Sequence, residues 1–351
     1  MKEHPKVYMA RAGSNGEDEQ YALDNDLAVI GFREFGSLEN LKDWEQVSAF
    51  VRKEQPDMKP HTAGNLAGQL WAFSISMQEG DIVVLPSKLS SQVALGIVTG
   101  PYQYLKVGDE FRHTRAVKWV RPDVPRTAFQ QDLLLSFGAY MTVCRITRNG
   151  AEKRIAAVLN GSDDPGLTAT EPKGKVSAPV TTDEAPDTLT DLAQLAHDQI
   201  VAHIQSHYPG HAMTRLVDAV LRADGWVTKV SPPGPDGGVD ILAGRGTLGL
   251  DAPRLCVQVK SQNSPADVTI YRTLQGTMQT FKAEQGLLVC WGGYNKVVLA
   301  EAKQSHFTVR LWESRDLVEA ILRNYEKLPA EIQAELPLKR VWTLVAEEIA
   351  E

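Results

Sequence analysis

Between Asn160 and Thr188 the chain reads NGSDDPGLTATEPKGKVSAPVTTDEAPDT, rich in Pro, Gly, Ser and Thr and almost without large apolar side chains. Such a stretch buries too little apolar surface to offset the entropy of ordering it. It therefore reads as a flexible linker that splits the chain into separately folding parts. The expected division is a first domain at residues 1–158, a linker at 159–188, a second domain at 189–330 and a C-terminal helical tail at 331–351. A chain of 351 residues, 43% apolar and 23% charged, can give each part a core without disulfides or a structural metal. Its three cysteines, Cys144, Cys256 and Cys290, each lie in an apolar run and form no CxxC pair. They read as buried free thiols in a reducing compartment. The N-terminus carries no apolar leader and no stretch is long enough to span a bilayer, so a cytoplasmic protein without a membrane partner is expected. The net charge of −7 argues against a surface that coats nucleic acid as a whole, but leaves room for a local basic groove.

Before the linker the pattern mixes helix and strand. Leu27–Phe32 reads as a strand, Leu38–Arg52 and Ala63–Ser76 as helices. Asp81–Pro86, Val93–Val98, Ala116–Val120 and Thr142–Ile146 read as short strands. That inventory suggests a small barrel-like α+β domain. After the linker the order is αβββαβαβα, following a helix at Leu189–Ser206. The closing β-α-β repeats imply a partly parallel sheet with helices on its faces. The fold class is α/β, or α+β over the whole chain.

The chemistry gathers in this second half. The loop GPDGG leads into a strand with Asp240, and eighteen residues on, LCVQVKSQ carries Gln258 and Lys260. Residues two apart on a strand share a face, so Gln258 and Lys260 project together while Val257 and Val259 point the other way. If the two strands are neighbours, a carboxylate, an amide oxygen and an ammonium meet in one small volume. Asp240, Gln258 and the Val259 carbonyl form an oxygen-rich ligand set for a hard cation, Mg²⁺ or Mn²⁺. Lys260 is placed to orient or deprotonate an attacking water, or to stabilise charge developing on a phosphate. Taken singly, an Asp after Gly-Gly is most often a turn residue and a strand Lys most often an exposed one. The shared face beside Cys256 and Val257 makes the combination harder to dismiss.

From about Gly210 to Leu328 the chain resembles the Mrr-like restriction endonuclease domain of the PD-(D/E)xK superfamily. Five segments match in order: the helix ending LRADGW, the GPDGGVDI loop and strand, VQVKSQ, LQGTM and LLVCWGGYNKVVLAEAK. That branch uses Gln in place of the acidic residue before xK, and Gln258 matches it. The resemblance implies a restriction-endonuclease-like mixed sheet flanked by helices, with Mg²⁺-dependent cleavage of double-stranded DNA by Asp240, Gln258 and Lys260. One position departs. The family often carries a Glu early in the first helix, and HAMTRLVDAVL puts Thr214 there. Asp218, one turn later, and Asp236 are the accessory carboxylates that would compensate.

The first half resembles, more loosely, PUA-like domains of the EVE kind, through NLAGQLWAFSISMQEGDIVVLP and VALGIVTGPYQY. Met77, Gly80, Asp81 and Gly96 match that frame. The resemblance implies a small β-barrel with helices that reads a modified base. A flipped base needs an aromatic sandwich and hydrogen bonds to its edge. Phe32, Trp44, Trp71, Tyr102 and Trp119 are the candidate platforms, and Arg33 with Arg11, Arg112, His113 and Arg115 the candidate polar contacts. Large aromatics at helical positions, Trp44 and Trp71 among them, are more often core residues.

The whole reads as a modification-dependent restriction enzyme in defence against foreign DNA. It would recognise a modified cytosine and cut as a homodimer, since two strands need two active sites. Two rivals stay open: a sequence-specific or repair nuclease, and a DNA-binding sensor weakened by loss of the helix Glu.

Overall fold

The structure is a computed structural model that describes residues 5–107, 110–139, 141–167, 192–232 and 238–342. They fall into two compact units, the first through Leu195 and the second Ala196–Thr343. Among the described residues no helix is long and apolar enough to cross a membrane.

In the first unit the order is β1 (Val7–Ala10), α1 (Glu19–Asp24), β2 (Leu27–Ile30), α2 (Trp44–Glu54), α3 (Pro60–Trp71), β3 (Ile82–Pro86), β4 (Gln92–Val107), β5 (Glu110–Pro125), α4 (Gln131–Phe137), β6 (Val143–Arg145) and α5 (Ala151–Leu159). The strands form one mixed sheet, β2-β5-β4-β3-β1-β6, in which β1 runs parallel to β3 and the other pairs are antiparallel. This corrects the expected barrel: among the described residues β2 and β6 end the sheet unpaired with each other. Helices cover both faces, and β1 shows why. Tyr8 and Ala10 enter the core under α2 and α3, whereas Val7 and Met9 enter the core under α4 and α5. A strand buried on both faces reads as a continuous apolar run, VYMA, with no alternation.

Two local devices shape this unit. After α3 the backbone widens into a π turn, Ala72–Ser76. The Arg115 guanidinium donates to the carbonyls of Phe73 at 2.7 Å, Ser74 at 2.9 Å and Gly100 at 3.1 Å. Arg115 is thus a buried brace, and desolvation holds its pKa down to about 10. At the far end, Arg154 donates to Asp132 and to Asp164, and Asp164 also accepts the Gln130 amide. Residues around Asp164, inside the stretch expected to be linker, are packed against this unit.

In the second unit, α6 (Leu192–His207, all but its first four residues in this unit) and α7 (His211–Ala223) precede β7 (Val227–Val230), β8 (Ile241–Arg245) and β9 (Asp251–Lys260). Then come α8 (Val268–Phe281), β10 (Gln285–Cys290), α9 (Lys296–Gln304), β11 (Val309–Trp312), α10 (Ser314–Asn324) and α11 (Ala330–Glu335). The sheet order is β11-β10-β9-β8-β7. β9 pairs parallel with β10 and antiparallel with β8, so it joins the two halves of a mixed sheet. Leu255, Val257 and Val259 pack under α6, α7 and α10. Cys256 packs under α8 and α9. Ile332 and Leu336, in the segment expected to be a tail, are buried in the first of these cores. At the outer end of the β8–β9 hairpin, Leu248 and Leu250 stand 79% and 74% exposed.

Candidate active site

The site starts from a break in a ladder. Asp240 was expected within a strand. It lies instead in the bend just before β8, although its amide still donates to the Val257 carbonyl at 2.9 Å. One step further along β9, the Val259 amide donates to the Asp240 carboxylate, Oδ2, at 2.8 Å. A side chain therefore accepts where a regular antiparallel ladder would use a backbone carbonyl. The Val239 carbonyl is taken by the Ser231 hydroxyl at 2.7 Å, and the Ser231 amide donates to the Asp240 carbonyl at 2.8 Å. Ser231, the residue after β7, thus pins the peptides on both sides of the bend.

Asp240, Val259 and Lys260 line a cleft of about 390 Å³. Its other wall is the start of α7, with Gly210, His211 and Thr214, and its rim holds Ser231, Ser261 and Gln262. Ser261 Oγ accepts the Gly210 amide at 3.1 Å, which ties the end of β9 to the start of α7. Gln258 is 5% exposed and does not itself line the cleft; its Oε1 is buried and without a hydrogen-bond partner. Thr214 is buried against the cleft. Asp218 lies one turn deeper and does not line the cleft. Its Oδ2 is held by Arg222 at 2.9 Å, and its Oδ1 is buried without a hydrogen bond. Asp236 lies outside the described residues.

The residues present fit a divalent cation. A buried amide oxygen left without a partner is costly in a folded protein unless a donor or a cation meets it; Gln258 supplies one on the residue before Val259, whose amide orients the Asp240 carboxylate. Among the described residues no group of three or more His, Cys, Asp or Glu stands ready to hold a metal. A bound ion would therefore complete its shell from water and substrate oxygens, as Mg²⁺ commonly does.

Residues 206–321 match the family described as Restriction endonuclease (Mrr_cat). The second unit carries a restriction endonuclease domain. Residues 6–138 match a Domain of unknown function (DUF8426), a match that does not carry the PUA-like reading of the first unit. No curated protein matches the chain. Among solved structures, the chain is similar to "DNA modification-dependent restriction endonuclease AspBHI", at 14% identity and a TM-score of 0.33, over 89% of this chain and 78% of that one. It is similar also to "MspJI Restriction Endonuclease in Complex with 27-mer Oligonucleotide", at 13% identity and a TM-score of 0.32, over 94% and 79%. In the endonuclease domain, His211, Ser231, Ser261 and Gln262 join the cleft without having been singled out in the sequence. The available signal was position: Ser261 and Gln262 follow Lys260 directly, and Ser231 follows the end of β7, the strand paired with β8.

The candidate base-reading residues of the first unit are more dispersed. Trp44 and Trp71 are half-buried and meet edge to face at 6.2 Å, packed on the core. Trp119 is fixed by its indole N–H to the Ala22 carbonyl at 3.1 Å. Tyr102 is buried. Its hydroxyl accepts the Leu38 amide at 3.2 Å and donates to His113 Nδ1 at 2.6 Å. His113 Nε2 then carries the hydrogen and donates to the Phe32 carbonyl at 3.2 Å. This relay holds Phe32 at a left-handed φ of 60°. The arginines proposed for phosphate are engaged inside the fold. Arg33 pairs with Asp18 and Glu110, Arg112 with the same two, and Arg11 with the Phe137 carbonyl.

Proposed function

We propose that the chain is a metal-dependent DNA endonuclease with Asp240, Gln258 and Lys260 as its working residues. The observation that carries this reading is the Asp240 carboxylate, held by the Val259 amide at the wall of a cleft it shares with Lys260, inside a restriction endonuclease domain. Asp240, the Gln258 amide oxygen and the Val259 carbonyl are the groups that would hold Mg²⁺ or Mn²⁺. What a bound divalent ion supplies is charge against the phosphate and a lowered pKa for its water. Lys260 positions the attacking water or steadies the phosphate as negative charge builds on it. Gln258 is buried next to Val259 in sequence and is shielded from bulk water.

The substrate is double-stranded DNA, and the first unit selects it through a modified base such as methylcytosine. Phe32 and Arg33, together in the loop after β2, are assigned that task; Arg33 would exchange its pairs with Asp18 and Glu110 for the DNA, while Trp44, Trp71, Tyr102 and Trp119 pack or bond within the unit. Two copies cut two strands, so the working form on DNA is a homodimer. The enzyme acts in the cytoplasm, where three buried free cysteines are at home.

The test is cleavage of plasmid DNA with Mg²⁺ or Mn²⁺, unmodified and cytosine-methylated, by wild type, Asp240→Ala and Lys260→Ala. Cutting of methylated DNA alone, lost in both variants, supports the whole reading. Equal cutting of both plasmids keeps the nuclease and removes the modified-base reader. Cutting that survives both substitutions removes the assigned site.

A further inference from the structure

The cleft lined by Asp240 and Lys260 is lined also by a histidine. His211 is the first residue of α7, is exposed, and lines the same cleft as Asp240. Thr214 follows three residues later, which puts it on the same helix face, one turn further in. The helix wall of the cleft therefore offers a nitrogen donor and a hydroxyl, and no carboxylate.

This changes which ion the site suits. Mg²⁺ demands oxygen ligands and is held chiefly by charge, so one carboxylate and one neutral amide grip it weakly. An imidazole nitrogen adds little for Mg²⁺ but much for first-row transition ions, whose affinity for nitrogen donors rises from Mn²⁺ towards Ni²⁺. His211 is exposed and lines the cleft, so its imidazole is open to an ion arriving from solvent. Gly210, just before it, is fixed to Ser261, so the start of the helix is anchored beside the end of β9.

We propose that His211 is a metal ligand of this cleft, together with Asp240 and Gln258, and that the site takes Mn²⁺ or Co²⁺ in preference to Mg²⁺. The proposal rests on the endonuclease reading of the cleft and goes beyond it by naming a nitrogen ligand and the resulting ion preference.

The experiment is calorimetric titration of the full chain with MgCl₂, MnCl₂ and CoCl₂, comparing His211→Ala and Asp240→Ala with their parent. All three carry His207→Ala, because His203 and His207 stack at 3.9 Å on α6 and could chelate transition ions by themselves. Thermal melts of each variant check folding. The parent is expected to bind Mn²⁺ and Co²⁺ roughly tenfold or more tightly than Mg²⁺. His211→Ala should lose that margin while its Mg²⁺ affinity stays within about twofold of the parent, since Mg²⁺ gains little from imidazole. Asp240→Ala should weaken all three ions. Unchanged Mn²⁺ and Co²⁺ binding in His211→Ala overturns the proposal. If Asp240→Ala still weakens all three, the endonuclease reading of the cleft survives that result. If Asp240→Ala changes nothing either, both fall together.

Discussion

The Val259 amide and the Asp240 carboxylate stand 2.8 Å apart, so the strand that ends in Lys260 itself orients the acidic group of the cleft. This separates two effects of substitution at Asp240. Asn keeps an oxygen for the Val259 amide but removes the charge, whereas Ala removes both. Asp240→Asn is expected to melt within a few degrees of wild type, and Asp240→Ala to be destabilised by about 1–2 kcal/mol. Both should lose roughly a hundredfold or more in cleavage rate. A melt followed by a plasmid assay decides it. Wild-type cleavage by Asp240→Asn would mean that the charge is not used.

Lys260 can be tested separately from metal binding. Lys260→Ala should lower cleavage by roughly 10²–10⁴-fold, the usual range for loss of a group that moves or positions a proton. Its Mn²⁺ affinity, read by calorimetry, should stay close to wild type. A matching loss of affinity would instead make Lys260 part of how the ion is held.

Ser231 offers a test of positioning. Its hydroxyl holds the Val239 carbonyl, and its amide the Asp240 carbonyl. Ser231→Ala should cost about 1 kcal/mol of stability and slow cleavage through kcat more than KM. Ser231→Thr, which restores the hydroxyl, should recover most of the rate. Equal rates for Ala and wild type would show that the bend holds Asp240 without this bond.

Gln258 predicts an inverse relation between stability and metal binding. Its Oε1 is buried without a partner, so Gln258→Leu should leave the ion-free fold as stable as wild type or about 1 kcal/mol more so, while abolishing cleavage. Gln258→Glu buries a carboxylate and should lower the melting temperature without metal. Added Mn²⁺ should raise that variant's melting temperature further than it raises the wild type's. No metal-dependent recovery in Gln258→Glu would place the ion elsewhere.

Acid sensitivity should come from the first unit. Desolvation pushes the His113 pKa down to about 4, and the hydrogen bond to the Phe32 carbonyl opposes that shift only in part. The folded state therefore holds His113 neutral while the unfolded chain, near 6.5, takes up a proton first. The stabilisation is complete above pH 6.5 and is lost as the pH falls towards 4, on the order of a few kcal/mol at most. His113→Gln should flatten that part of the stability profile, as read from melts between pH 4 and 7. An unchanged slope would move the acid sensitivity to another group.

Much of the nuclease half was readable because its signals are periodic. The helices near 213–221 and 268–281 follow apolar spacing, while alternation predicts one shared face for Gln258 and Lys260, whereas the cleft is lined by Lys260 and Val259. What alternation could not show was the bend at Asp240, where Ser231, just past β7, bonds the Val239 carbonyl. Nor could it place Asp218 a turn below the cleft, since depth along a helix is set by what packs against it. In the first unit β4 and β5 run much longer than their β-branched stretches. Gly100 and Pro101 break the pattern, and register shifts between Val98 and Tyr102 let pairing continue past the break. Gly80, at a φ of 84°, and Gly96, where a Cβ would sit 2.4 Å from Val117, were flagged by resemblance. Their reason is backbone turning and close packing. Arg115 looked like a phosphate contact because no residue pattern announces a π turn with outward carbonyls waiting for a guanidinium.

The β8–β9 hairpin has one end at Asp240 and Lys260 and the other at Leu248. A five-residue strand at about 3.3 Å per residue puts more than 15 Å of paired backbone between them. Leu248, mostly in solvent, is therefore a natural attachment point for a fluorophore or a surface-coupling tag. A label there could follow the domain on single DNA molecules while leaving the groups of the cleft untouched.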